Sequence, residues 1–239
     1  MTKPLYLNDA YMTRAEGVVV GHTDQGGIIL DQSVFYATSG GQPGDKGTLI
    51  WDDQEIEITT TLKGEGGSFV LVPVDGAVPP MIGQTVTQKL NWDFRYAHMR
   101  MHTALHLLSV VIPLPVTGGA ITAVKGRLDF DMPDAPDDKD ALTEMLNAII
   151  MRNFDVTERW ISDAELDANP GLVKTMSVQP PRGAGRTRLV RIGDVTEQVD
   201  LQSCGGTHVG KTSEIGRVRI SKIEKKGKQN RRVHLVFED

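Results

Sequence analysis

Two short segments contain the residue types that bind transition metals. The first is His102-Thr103-Ala104-Leu105-His106, and the second is Cys204-Gly205-Gly206-Thr207-His208. Each offers two imidazole or thiolate side chains separated by three residues, and both groups suit a tetrahedral Zn²⁺. Random placement of the chain's histidines predicts only about 0.15 pairs with this spacing. The two segments therefore predict one shared metal site, in preference to core histidines and a buried thiol.

Composition indicates a globular protein without secretory or membrane features. The 239 residues are 39% hydrophobic and 24% charged, which allows one large domain or two of ordinary size. Cys204 is the only cysteine, so no internal disulfide can form, and a reducing, cytoplasmic location is expected. The N-terminus lacks a signal pattern, and no apolar run reaches the roughly 18 residues of a membrane span. The net charge of -5 argues against wholesale coating of nucleic acid, but it leaves room for a local basic face.

The first part of the chain reads as short strands joined by turns rich in glycine and aspartate. Strand-like segments recur about every ten residues, a spacing typical of a small β-barrel. They are residues 18–20, 27–30, 48–51, 55–58, 68–72 and 85–90. We therefore predict a β-barrel domain over residues 1–90.

The hydrophobic period changes at Asn91 and predicts an amphipathic helix that Pro113 stops. Its apolar positions recur at intervals of three and four: Phe94, Ala97, Met101, Ala104, Leu105 and Leu108. A helical projection places His102 and His106 together at one edge of this face, where a ligand pair would line a cleft. His98 forms a second pair with His102 but lies closer to the apolar stripe, so packing or a hydrogen bond to one of the metal ligands is the expected role for it.

The remainder alternates strands and helices, which predicts an α+β domain over residues 91–239. We expect a strand at residues 121–130 and a helix at 137–154. A capping box from Ser162 to Glu165 opens a short helix. Further strands are predicted at residues 189–192, 196–201, 216–220 and 233–237. The expected fold class is therefore α+β, with an N-terminal β-barrel followed by a metal-binding domain.

The C-terminal segment, residues 217–232, concentrates positive charge on an acidic protein. Its eight basic residues are Arg217, Arg219, Lys222, Lys225, Lys226, Lys228, Arg231 and Arg232, and Glu224 is its only acid. Residues 226–230 read as a hairpin tip. Such a run is usually a solvated face, yet it also fits contact with an RNA backbone. Arg182, Arg186, Arg188 and Arg191 form a second basic cluster.

The ordered set of motifs resembles the AlaX family, free-standing relatives of the editing domain of alanyl-tRNA synthetase. The motifs are Gly40-Gly41-Gln42-Pro43-Gly44-Asp45, the His-Thr-Ala-Leu-His and Cys-Gly-Gly-Thr-His segments, and Arg127-Leu128-Asp129-Phe130. The resemblance covers nearly the whole chain, and the N-terminal barrel points to the longer class. It implies a hydrolase that deacylates tRNA(Ala) wrongly charged with serine or glycine. It also implies one zinc ion bound by His102, His106, Cys204 and His208.

Four protein ligands fill a tetrahedral shell, which is typical of a structural zinc, whereas a catalytic zinc needs an open position. The sequence leaves open whether one ligand is labile, the shell expands, or the metal only organises the pocket. Thr103 follows His102 where metalloproteases have glutamate, so peptidase chemistry is not expected. The alternatives are editing of another aminoacyl-tRNA and a non-catalytic RNA-binding protein with a structural zinc.

Two sets of residues are candidates for substrate contact. Rejecting an alanyl ester while accepting a seryl ester calls for a group that hydrogen-bonds the seryl hydroxyl. Thr117 is the preferred candidate, ahead of Thr122, Thr103 and Thr207, although threonines commonly bond backbone groups. Gly41, Gln42 and Asp45 either form a tight turn or approach the tRNA acceptor end. For RNA binding, the predicted residues are Lys225, Lys226, Lys228, Arg231 and Arg232.

Overall fold

A computed structural model of the chain describes residues 1–136, 138–173 and 185–238. It divides into two compact units, Met1–Ala97 and His98–Asp239. The first long helix, α1 (Trp92–Val111), begins in the first unit and continues in the second. Within the described residues, no helix is both long and apolar enough to cross a membrane.

The first unit is built around a closed six-stranded barrel, as predicted. Its strand order is β2-β3-β7-β6-β5-β8. The short strands β1 and β4 form a separate two-stranded parallel sheet. The bounds are β1 Lys3–Pro4, β2 Arg14–His22, β3 Ile28–Leu30, β4 Gln32–Ser33, β5 Gly47–Trp51, β6 Gln54–Lys63, β7 Phe69–Pro73 and β8 Thr85–Leu90. Closure leaves no unpaired sheet edge, and alternate side chains such as Ile28, Leu49 and Leu71 fill the interior.

The second unit combines helices with two antiparallel sheets. The sheets have the orders β14-β15-β10-β9 and β11-β12-β13. The strands are β9 Val116–Ile121, β10 Lys125–Asp131, β11 Val156–Ser162, β12 Arg186–Gly193, β13 Gln198–Ser203, β14 Val218–Lys225 and β15 Asn230–Phe237. The other helices are α2 Lys139–Met151 and α3 Asp163–Asp167. The α+β fold class predicted from the sequence is therefore confirmed.

Helix α1 packs closely on the four-stranded sheet because one sheet position is glycine. A Cβ atom at Gly126 would lie 2.8 Å from Cγ of Met101 and 3.1 Å from Cδ1 of Leu105. Both of those side chains are buried. Gly126 thus sets how near helix α1 approaches β10.

Two predicted elements differ from the structure. The prediction of one strand over residues 121–130 is wrong, because β9 and β10 are separate strands joined by a turn. In this turn, Thr122 Oγ1 accepts a hydrogen bond from the Lys125 amide. The helix predicted for 137–154 is α2, which ends at Met151 because Asn153 adopts a left-handed φ of 56°. Asp137 lies outside the described residues, and Asp138 caps the helix by accepting from two backbone amides.

Candidate metal centre

Four side chains converge on one point in the second unit. The ligand atoms of His102, His106, Cys204 and His208 all lie within 4.8 Å of one another. Cys204 Sγ is 3.6 Å from His102 Nε2 and 3.3 Å from His208 Nε2. With Zn–N near 2.1 Å and Zn–S near 2.3 Å, tetrahedral coordination requires an N···S separation of about 3.6 Å. Both the donor set and its spacing therefore fit a zinc ion.

Helix α1 supplies the first two ligands. His102 and His106 are one helical turn apart, so their rings project from the same side, with centroids 5.2 Å apart. Neighbouring apolar residues of the same turn, Met101, Ala104 and Leu105, are buried and hold this side of the helix in place. The ligand pair is therefore fixed by the packing of the helix and does not depend on a flexible loop.

The loop after β13 supplies the other two ligands, and Arg188 shapes it. Arg188 Nη1 donates to the carbonyl oxygens of Cys204 and Gly206, at 2.8 Å in each case. The guanidinium also pairs with the Glu158 carboxylate, with Nε 2.8 Å from Oε2. The Gly206 amide approaches Cys204 Sγ at 3.4 Å and so supports a thiolate. Arg188, which the sequence placed in a basic cluster, is thus buried as a brace for the ligand loop.

The second nitrogen of two ligand histidines is held by a partner that fixes the tautomer. His106 Nδ1 lies 3.1 Å from Asp200 Oδ2, a carboxylate that also accepts from Gln202 Nε2 at 2.7 Å. Thr103 donates its hydroxyl proton to the Met99 carbonyl, so towards His208 Nδ1, at 3.2 Å, it acts as acceptor. Both Nδ1 atoms therefore carry hydrogen, and both Nε2 atoms remain available as ligands.

The pKa values in the cluster reflect burial and the charges of the neighbouring groups. Burial alone would raise the pKa of Cys204, but the fields of His102 and His208 hold that pKa well below its usual value. Burial and the neighbouring His102 lower the pKa of His208. Burial also acts to lower the pKa of His106, yet the bonds to Asp200 and Cys204 outweigh it and raise this pKa to about 9. The negative charge of Cys204 and Asp200 thus favours a positive charge at the centre of the cluster.

The Gly-Gly-Gln-Pro segment belongs to the first unit and divides into exposed and buried parts. Gly40 and Gly41 are exposed, with positive φ angles of 55° and 83°. Gln42 and Asp45 are buried. The Asp45 carboxylate accepts from the Tyr36 amide at 2.6 Å and pairs with the guanidinium of Arg95. Their contact with substrate stays a prediction.

The predicted specificity residue, Thr117, lies on β9 with two hydrogen bonds. Its hydroxyl donates to the Asp129 carbonyl at 3.1 Å and accepts from Asn230 Nδ2 at 2.8 Å. Of the other candidates, Thr122 stabilises the β9–β10 turn and Thr103 supports His208. His98 is buried on α1 and is not among the four clustered ligands.

The basic C-terminal segment forms the β14–β15 hairpin, and its members lie in different environments. Lys225, Lys226 and Lys228 are exposed near the tip. Arg231 is 7% exposed and donates to the carbonyl oxygens of Gly227 and Pro133. Arg232 makes a two-pronged ion pair with Asp129, at 2.7 and 2.8 Å. Arg182 of the second basic cluster lies outside the described residues. RNA contact by these residues stays a prediction.

Comparisons with known proteins match the chain over its whole length. Residues 187–234 match the family model described as threonyl and alanyl tRNA synthetase second additional domain, and residues 10–94 match class II tRNA synthetases (A). The alanyl-tRNA editing protein AlaX-M of Methanosarcina acetivorans is 35% identical over 100% of both chains. AlaX-M of Saccharolobus solfataricus is 33% identical over 98% of each. The alanine–tRNA ligase of Pyrobaculum arsenaticum is 31% identical over 94% of this chain and 25% of its own length.

Proposed function

Because the chain belongs to the AlaX family of alanyl-tRNA editing proteins, we propose that it is a zinc-dependent hydrolase that deacylates tRNA(Ala) mischarged with serine or glycine. The observation that carries this proposal is the convergence of His102, His106, Cys204 and His208 on one point. We propose that it works in the cytoplasm, where reducing conditions keep Cys204 available as a thiolate.

One zinc ion per chain is the proposed cofactor, held by these four residues. When bound, zinc supplies a positive charge that can polarise an ester carbonyl or lower the pKa of a water molecule. The chain's own residues prepare the place for it. Asp200 and Thr103 aim the Nε2 atoms of His106 and His208 inward, and Arg188 fixes the loop that carries Cys204.

Thr117 is the proposed contact for the seryl hydroxyl. A hydroxyl group has one proton to donate and two lone pairs to accept with. Thr117 uses its proton on the Asp129 carbonyl and one lone pair on Asn230. The remaining lone pair can accept a hydrogen bond from a seryl hydroxyl. Neither the methyl side chain of alanine nor the hydrogen of glycine can donate one, so Thr117 would favour serine only.

RNA contact is proposed at two places that the structure leaves exposed. One is the hairpin tip with Lys225, Lys226 and Lys228. The other is the backbone at Gly40 and Gly41, where the absence of side chains lets RNA approach closely. Gln42 and Asp45 are buried, and they would contribute by supporting the loop that carries Gly40 and Gly41.

The test is incubation of the pure protein with seryl-, glycyl- and alanyl-tRNA(Ala), following release of the amino acid. We expect hydrolysis of the seryl ester, the glycyl ester or both, while the alanyl ester persists. A second candidate, editing of another aminoacyl-tRNA, is favoured by the threonyl part of the family model's description. Seryl-tRNA(Thr) should therefore be assayed alongside. Binding of tRNA without hydrolysis of any ester would instead indicate an RNA-binding protein with a structural zinc.

A further inference from the structure

We propose that Trp160 and Arg186 form a stacking site for the nucleobase at the 3′ end of the RNA substrate, next to the metal centre. The inference rests on the proposed function for the identity of the RNA. It concerns a part of the second unit that neither the ligand motifs nor the basic hairpin includes.

Strand register places Trp160 in line with the ligand loop. Trp160 on β11 lies directly opposite Arg188 on β12. Arg188 in turn faces Cys204, whose amide donates to the Arg188 carbonyl at 3.3 Å. Neighbouring strands are about 4.8 Å apart, so the Cα atoms of Trp160 and Cys204 are separated by about 10 Å. One row across the sheet thus joins an aromatic ring to a metal ligand.

Trp160 also lies on the metal-facing side of this sheet. Residues directly opposite each other share a face, and residues two apart on one strand share it too. Arg188 is two residues from Val190, which faces Gln202, and Gln202 is two residues from Asp200. The contacts of Asp200 and Gln202 with His106 and Ser109 show that helix α1 covers this face at β13.

Helix α1 does not cover β11, which is the edge strand of the sheet that the described residues form. Trp160 is 41% exposed and Arg186 is exposed, whereas Arg188 and Val190 on the central strand are buried. The Arg186 guanidinium lies over the Trp160 ring, 4.6 Å from its centroid. An indole ring exposed on a strand edge beside a buried metal centre is therefore a surface that a flat ligand can cover.

The chemistry of this pair fits a base with its phosphate. Aromatic side chains and arginine guanidinium planes stack on nucleobases, and arginine also binds phosphate oxygens. Within the part of the chain that the structure describes, no carboxylate pairs with Arg186, whereas Glu158 neutralises Arg188. The Arg186 guanidinium is exposed and offers a positive charge to an anion.

The arrangement matches the order of groups in an aminoacyl-tRNA end. The amino acid is esterified to the ribose of the terminal adenosine, so one ribose ring separates the ester from the base. With the ester at the ligand cluster, the adenine falls along the row that leads from Cys204 past Arg188 to Trp160. The site would therefore hold the ester in register without reading the amino acid.

A binding measurement tests this site independently of catalysis. Adenosine 5′-monophosphate and ribose 5-phosphate are titrated against the protein while tryptophan fluorescence is recorded. We expect the nucleotide to quench the emission and ribose 5-phosphate to leave it unchanged. The nucleotide effect should be absent in Trp160→Phe, where the other two tryptophans, Trp51 and Trp92, remain. Equal responses of the wild type and this variant would overturn the proposal.

Kinetics give the second test, because Trp160→Phe retains an aromatic ring and Trp160→Ala does not. In Trp160→Ala, KM for the mischarged tRNA should rise about 10-fold, the effect expected for loss of one base–aromatic stack. The Phe variant should restore most of the affinity, and kcat and zinc content should stay close to wild type in both. Met145→Ala, another large exposed side chain of the second unit, is the matched control.

The outcomes separate this proposal from the proposed function. If the wild type hydrolyses mischarged tRNA and Trp160→Ala shows the same KM, the stacking site is wrong and the function stands. If the wild type hydrolyses no ester, the function fails, and the nucleotide titration alone decides the stacking site.

Discussion

Two regions of this protein bury charged side chains, and they do so with opposite results. In the first unit, Asp45 and Arg95 are almost fully buried, and the bonds of Arg95 reach Asp45 and the carbonyls of Ala10 and Val34. In the metal centre, protein partners occupy the Nδ1 atoms of His106 and His208 and leave both Nε2 atoms facing Cys204 and His102. Where buried polar groups satisfy one another's hydrogen bonds, as in the Asp45–Arg95 pair, they stabilise the fold. Where ligand atoms converge and keep lone pairs unused, as in the metal centre, they form a binding site.

The largest effect is expected at the buried Asp45–Arg95 pair. Asp45→Ala leaves the Arg95 charge buried without its partner, and such a change costs about 3–5 kcal/mol of stability. Chemical denaturation should show this loss, while the zinc content of the folded fraction stays at the wild-type value. Asp45→Asn, which keeps the shape, is the comparison variant. A loss of zinc in the folded fraction would break the distinction between the two regions.

At the metal centre, Asp200→Asn keeps a hydrogen-bond acceptor for His106 but removes the negative charge. Changes to such outer partners commonly weaken metal binding by about 10–100-fold. Competition with a chromophoric chelator measures the zinc affinity directly. Ser109→Ala, which alters the far end of the same network beyond Gln202, should bind zinc nearly as well as the wild type. Equal affinities in Asp200→Asn and Ser109→Ala would mean that Asp200 only fills space.

Thr117 tests the difference between a structural group and a binding group, because its hydroxyl already makes two hydrogen bonds within the protein. Thr117→Val should lower kcat/KM for the seryl ester by about 1–3 kcal/mol of transition-state stabilisation. Hydrolysis of the alanyl ester should stay unchanged or rise, because the alanyl side chain has no group that hydrogen-bonds the Thr117 hydroxyl. Equal losses of kcat/KM on both esters would mean that Thr117 has a structural role and does not contact the seryl hydroxyl. The same test would then pass to Thr122, Thr103 and Thr207.

The hairpin offers the smallest effect and an internal control. Changing Lys225, Lys226 and Lys228 together to Ala should raise KM for all charged tRNAs and lower the salt slope by about one phosphate contact per lysine. The ratio of seryl to alanyl hydrolysis should stay the same. Arg231→Ala, which removes a buried side chain bonded to Pro133 and Gly227, should lower stability with little change in slope. A slope unaffected by the lysine changes would make the tip an ordinary solvated surface.

Local patterns were sufficient to predict the barrel, helix α1 and the cluster of four ligand side chains. The helical spacing alone puts His102 and His106 on one side, and the regular recurrence of short strands and turns predicts the barrel. The partners of the ligands depend on contacts between distant segments, such as Asp200 with His106, which are 94 residues apart. No local rule gives that pairing, although an acid on a strand four residues before Cys204 is a usable signal.

Two kinds of residue limited what could be predicted from the sequence. Strand β9 contains Gly118 and Gly119, which have low strand propensity, so the β9–β10 hairpin read as a single strand. Arg188, Arg231 and Arg232 each pair with partners inside the second unit that the sequence does not reveal, and their contact with RNA stays a prediction. Sequence gives the charge of an arginine but not the carboxylate or carbonyl that the fold brings to it.

The central claim is that these four residues form one zinc site, and metal analysis of Cys204→Ala tests it most directly. Wild-type protein and the variant are loaded with zinc, dialysed against a weak chelator and analysed for metal, with circular dichroism to establish that both are folded. The account predicts one zinc per chain in the wild type. In the variant, it predicts loss of bound zinc together with loss of hydrolysis. A full zinc complement in folded Cys204→Ala would contradict it.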